Sequence, residues 1–107
     1  MAANLGVKHG ALLPYVTHKQ LQDAVIKWAT LRGWRHYHTQ DSRKSVAGFP
    51  DLTMVRLSRV IFAEIKTERA KATPTQQEWL DELEGTGKVE TYLWKPSDFD
   101  RIVEILR

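Results

Sequence analysis

The 107 residues predict one α/β domain: a small mixed sheet of about four strands flanked by helices, in the order αβββαβα. Three observations carry this. Apolar residues near both ends of the chain recur at helical spacing. Between them, β-forming runs lie close together in the middle of the chain. A further strand-like run near the C-terminus stands between two helical segments, which makes the pattern α/β rather than all-β. The length suits a single domain and excludes a multidomain machine or an eight-stranded α/β barrel.

Each element has a local reason. Thr17 can cap a helix running to about Arg32, with Leu21, Ala24, Val25, Trp28 and Leu31 on one face and Gly33 as its stop. Residues 34–39 read as a strand, and the polar residues 40–48 as a loop ending at Gly48. Residues 51–56 and 60–66 are two more strands joined by a short turn. Thr73-Pro74 opens a second helix with Trp79, Leu80 and Leu83 on its buried side, ended by Gly85 and Gly87. Residues 89–94 form the fourth strand. Ser97 then caps a third helix carrying Phe99, Ile102, Val103 and Leu106 at i, i+3, i+4 and i+7. Residues 1–16 are expected to be an N-terminal arm: a flexible segment, a short extra element or a dimer contact. Residues 17–107 form the domain.

Composition narrows the chemistry. There is no cysteine, which excludes disulfides, thiolate metal sites and cysteine nucleophiles and fits an intracellular protein. No apolar run approaches the roughly 20 residues of a membrane span, so no membrane partner is expected. The net charge of +3 is unevenly spread. Residues 32–72 hold nine basic and four acidic side chains, a net of +5, whereas residues 73–107 hold four basic and eight acidic, a net of −4. The middle of the chain is therefore the candidate phosphate-facing segment.

That segment also holds the carboxylates of interest. It reads Gly48-Phe49-Pro50-Asp51, then a hairpin, then Glu64-Ile65-Lys66. Residues two apart on a strand share a face, so Glu64 and Lys66 point the same way. With the turn at Leu57 and Ser58, Arg56 stands opposite Arg59 and Asp51 opposite Glu64, about 5 Å apart at Cβ. A slip of one residue sends Asp51 to the other face, and Leu-Ser is not a favoured two-residue turn. Two carboxylates this close repel unless a cation lies between them, and oxygen donors suit Mg²⁺ or Mn²⁺. The bland alternative is that Asp51 caps a loop while Glu64 and Lys66 form an exposed cross-strand patch.

Pro50-Asp51 with Glu64-Ile65-Lys66 resembles the PD-(D/E)XK nuclease superfamily. The fuller string resembles its VRR-NUC group: Gly33-Trp34, Ser42-Arg43, Gly48-Phe49-Pro50-Asp51-Leu52, Glu64-Ile65-Lys66-Thr67, Thr73-Pro74-Thr75-Gln76, Trp79-Leu80 and Trp94-Lys95-Pro96-Ser97-Asp98. The resemblance covers residues 17 to 107. It implies a restriction-endonuclease-like core and Mg²⁺- or Mn²⁺-dependent hydrolysis of DNA phosphodiesters. It assigns the metal to Asp51, Glu64 and the backbone carbonyl of Ile65, and the catalytic lysine role to Lys66. Small stand-alone members resemble Holliday-junction resolvases, which implies branched, four-way-junction-like DNA and a homodimer.

Several positions carry two readings. The family adds a glutamate from the first helix; here the candidates are His18, Gln20 and Gln22, and Gln22 is preferred as a neutral oxygen ligand. Gln76 either reaches the site, as the family match implies, or completes a capping box with Thr73. Ser42, Arg43 and Lys44 before Asp51, and Arg69 and Lys71 after Lys66, are candidate phosphate contacts. His36 and His38 share a strand face but complete no zinc spacing, so structural or DNA-contact roles are preferred. The four tryptophans are expected to pack rather than stack on bases. The reading on function is a metal-dependent DNA endonuclease. Its alternatives are a weakly active or inactive branched-DNA-binding module and a regulatory protein that reuses the scaffold.

Overall fold

A computed structural model describes residues 10–39 and 46–107. A 3-10 turn at Gly10–Tyr15 leads into α1 (His18–Leu31), β1 (Arg35–His38), β2 (Leu52–Arg56) and β3 (Arg59–Ile65). Helix α2 (Pro74–Gly85), β4 (Glu90–Trp94), a 3-10 turn at Pro96–Asp98 and α3 (Phe99–Leu106) complete the chain. The expected αβββαβα order is present. The short turn at Gly10–Tyr15 is the extra element of the N-terminal region, and Val16 behind it is 4% exposed in the core.

The sheet runs β1-β2-β3-β4. The first three strands are antiparallel neighbours, whereas β3 and β4 are parallel, with α2 as the crossover that a parallel pair requires. Period-two alternation separates two faces. Leu52, Met54, Ile61, Ala63, Ile65 and Trp94 point to one face and are buried against Leu21, Val25 and Ala29 of α1 and Phe99, Ile102, Val103 and Leu106 of α3. Thr53, Phe62 and Glu64 take the opposite face. There α2 lies along β4, with Thr91 Oγ1 bonded to Glu84 at 3.3 Å, and Trp79 reaches Phe62 through Phe49.

The caps form largely as their residues dictate. Thr17 and Gln20 make a reciprocal capping box at α1, as Thr73 and Gln76 do at α2. Gly33 leaves α1 at φ 84°, a conformation that favours glycine. Two expectations need correction. Leu31 is 69% exposed, because at 100° per residue it falls outside the stripe centred on Leu21, Val25 and Ala29. Ser97 does not cap α3: Pro96 starts a 3-10 turn first, Asp98 Oδ2 accepts from Lys95 N at 2.9 Å, and Ser97 N donates to Glu68 at 2.9 Å.

The phosphate-facing reading of the middle segment is also corrected at two positions. Arg56 donates to the carbonyls of Arg32 (2.9 Å), Leu106 (3.2 Å) and Arg107 (2.7 Å), and so closes the C-terminal ends of α1 and α3. Arg59 donates to Ile105 O at 3.0 Å and forms a two-pronged pair with Glu90, both bonds 2.7 Å. Both guanidinium groups lie over the Trp34 ring, at 4.7 and 5.0 Å. The Glu90 bond raises the pKa of Arg59, and the same bond lowers that of Glu90. These cations hold the sheet to two helix ends.

Candidate active site

The hairpin register is the first determinant of the site. Arg56 pairs with Arg59 and Leu52 with Ala63, so the ladder continues to Asp51 beside Glu64. The turn is made with Leu57 at φ 55° and 96% exposed. The exposed leucine accepts a left-handed backbone because the pairing on both sides is fixed by buried side chains.

The segment that delivers Asp51 is held from several directions. Gly48 has φ +84°, and a Cβ there would lie 2.6 Å from Thr75 Cγ2 and 2.8 Å from Thr75 backbone carbon. Only glycine allows this approach to the start of α2. Phe49 packs edge-on against Phe62 and Trp79, with centroids at 5.9 and 5.1 Å. The Trp79 indole N–H donates to Ala47 O at 3.2 Å, and Pro50 is fully buried. Asp51 then sits just before β2, where its Oδ2 accepts the Ile65 backbone N–H at 2.8 Å.

Glu64 is 3% exposed. Its Oε2 lies 3.7 Å from Lys66 Nζ, and its Oε1 is buried without a hydrogen-bond partner. The Lys66 backbone N–H donates to Trp94 O at 2.9 Å, extending the β3–β4 ladder to the lysine. Burial first, and then the Asp51 charge, push the Glu64 carboxyl up to about 7, with Lys66 opposing. Burial also presses Asp51 upward, but the His18 contact and the Ile65 N–H outweigh it, so Asp51 ionises below its ordinary value. One carboxylate is thus held ionised while its neighbour tends to keep a proton.

His18 contributes the first-helix side chain. As the first helical residue after the Thr17 cap, its Nε2 lies 3.2 Å from Asp51 Oδ2. That bond raises the His18 pKa, against the effect of burial. Gln20 is engaged in the Thr17 cap at 2.9 Å. Gln22, the preferred ligand, is half-buried one turn further along the His18 face. The histidine had a signal in the chain. Thr17 places it at the helix start, and its spacing to Leu21 and Val25 turns it toward the sheet.

The other expected residues divide. Gln76 follows the cap reading: its Oε1 accepts from Thr73 N at 2.9 Å. Arg69 and Lys71 are exposed in the connection after β3. Ser42, Arg43 and Lys44 lie outside the described residues. His36 and His38 have parallel rings with centroids 6.4 Å apart on edge strand β1. Trp34 and Trp94 are core residues, as expected, whereas Trp28 and Trp79 are half-buried.

The donor set suits a hard divalent cation. It consists of two neighbouring carboxylates, one with a partnerless buried oxygen, and a lysine within reach. Among the described residues, no group of three His, Cys, Asp or Glu side chains forms a ready metal cage. Such a site suits an ion that keeps several waters, as Mg²⁺ does.

Comparison with known proteins identifies the family and the fold. Residues 3–92 match the VRR-NUC domain family. A solved VRR-NUC domain protein superposes with a TM-score of 0.65 at 21% identity, covering 84% of this chain and 84% of that one, which establishes likeness of fold. No curated protein matches the chain. From the extent of the family match, the chain belongs to the VRR-NUC domain family, whose core is that of the PD-(D/E)XK nucleases.

Proposed function

We propose that this chain is a Mg²⁺- or Mn²⁺-dependent DNA endonuclease that nicks branched, four-way-junction-like DNA. The observation that carries the reading is the buried Glu64 oxygen without a partner, beside Asp51 and 3.7 Å from Lys66 on the other Glu64 oxygen. A buried carboxylate in this setting is held near neutrality unless a cation joins it.

Asp51, Glu64 and the Ile65 carbonyl would hold the ion, which supplies Lewis-acid activation of water and charge for the phosphate oxygens. The Ile65 N–H and His18 fix the Asp51 carboxylate through one of its oxygens, which leaves Oδ1 for coordination. Lys66, 3.7 Å from Glu64, would orient the attacking water or neutralise the charge that develops on the phosphate oxygens. Arg69 and Lys71 supply sequence-independent phosphate contacts beside it. Symmetric cleavage of a four-way junction needs two sites, and a chain with one site provides them as a homodimer.

His18 favours a second reading. The first-helix side chain that reaches Asp51 is an imidazole and not a carboxylate, so the site has one anionic ligand fewer than the family pattern implies, which would leave a module that binds branched DNA and cuts it weakly. Binding and nicking of a synthetic four-way junction, measured with and without Mg²⁺ or Mn²⁺, separate the two. Metal-dependent nicks support the nuclease. Salt-sensitive binding with no product under either ion supports the module.

A further inference from the structure

We infer that the cleft beside the carboxylates receives an unpaired nucleobase, so that the protein acts where base pairing is interrupted next to the scissile phosphate. This rests on the nuclease reading above. The cleft has a volume of about 370 Å³ and is lined by Tyr37, Thr39, Val46, Phe49 and Trp79. Phe49 and Tyr37 connect this lining to the sheet face that carries the site. Tyr37, Thr53 and Phe62 form one cross-strand row, and Phe49 rests on Phe62 at 5.9 Å. Phe62 precedes Glu64 by two residues on β3, and Thr53 follows Asp51 by two at the start of β2. The aromatic row therefore lies one strand step, about 6.8 Å, from the carboxylates on the same face. That step is comparable with the distance between successive phosphates of one nucleic-acid strand. A phosphate at Asp51 and Glu64 thus places the neighbouring nucleotide over the cleft.

The lining matches a base. Tyr37 is 67% exposed and offers a free ring face, while Trp79 is held by its bond to Ala47 and its contact with Phe49. Aromatic faces stack on any base and do not read its identity. Cations stand on either side of the aromatic row on this face: Lys66 beyond Glu64, and exposed Arg35 two residues before Tyr37. A base inside continuous duplex has both faces covered by its neighbours and must leave that stack to enter, which is least costly where pairing is already broken. The cleft thereby gives the chain a means of distinguishing a branch point from intact duplex.

The test uses the full chain without divalent ions, a branched DNA with 2-aminopurine at the branch-point nucleotide, and a fully paired duplex of equal length. Binding is expected to change the 2-aminopurine fluorescence. Tyr37→Ala should abolish that change and weaken binding to the branched DNA about tenfold, with duplex binding unchanged. Tyr37→Phe should retain both properties, as a stacking role requires. Unchanged fluorescence, or equal losses on both DNAs, overturns the proposal. A shift of oligomeric state in Tyr37→Ala without a fluorescence change also overturns it and assigns the cleft to a second copy of the chain. Wild-type protein that binds neither DNA, both without divalent ions and with Ca²⁺ added, overturns the nuclease reading itself, whereas DNA binding indifferent to Tyr37 overturns only the cleft.

Discussion

Glu64→Gln should stabilise the metal-free protein at alkaline pH while removing its response to metal. The folded carboxyl is pushed from 4.5 to about 7, so between those values the folded chain binds more protons than the unfolded one. Stability then falls as pH rises across that window. At 1.36 kcal/mol for each tenfold difference in proton affinity, the loss attributable to Glu64 is about 3 kcal/mol. His18 acts in the same direction: its raised pKa contributes stability below 6.5 that disappears as pH rises through the folded value. Asp51, shifted downward, loses its contribution only under acid conditions and leaves this window flat. Glutamine keeps the shape of Glu64 and removes the titration. Urea unfolding in chelator from pH 5 to pH 8 should show a steep decline for the wild type and only the His18 remainder for Glu64→Gln. Mn²⁺ at pH 8 should then restore the wild type and leave the variant unmoved. Parallel pH profiles for the two proteins would refute this account of Glu64.

Other substitutions test the frame around the site. Gly48→Ala adds a Cβ 2.6 Å from Thr75 Cγ2 at φ +84° and should cost about 2–3 kcal/mol, measured as a fall in Tm. Arg56→Ala removes the donor to three helix-end carbonyls and the contact over Trp34. It should destabilise by about 2 kcal/mol in denaturant titration, with DNA affinity unchanged, because that guanidinium faces helix ends. His18→Glu places a third carboxylate against Asp51 and should strengthen Mg²⁺ binding several-fold by calorimetry at neutral pH.

The legible features of the chain were those set by local periodicity. The i, i+3, i+4, i+7 pattern of α3 is buried in full, and both capping boxes follow from a threonine three residues before a glutamine. The pairing of Asp51 with Glu64 was legible despite an unfavourable Leu57-Ser58 turn, since a slipped register would expose Leu52 and Met54. Features that depend on convergence of distant elements were not legible. Arg56 and Arg59 count as basic surface in the sequence, but two helix C-termini meet above Trp34 and accept them. That His18 is the first-helix side chain bonded to Asp51 depends on how α1 crosses the end of the sheet. Gln76 satisfies a local cap and a family motif equally well in one dimension, and the cap is what its side-chain oxygen makes.

If Asp51, Glu64 and Lys66 work together to cut DNA strands, removing the lysine alone must stop the reaction. Single-turnover nicking of a four-way junction in Mn²⁺, comparing the wild type with Lys66→Ala, decides this. Lys66→Ala removes the cation beside Glu64 and leaves both carboxylates in place. The wild type should make metal-dependent nicks, and Lys66→Ala should lose at least a hundredfold, with junction binding retained. Equal nicking rates for the two proteins would contradict this joint role.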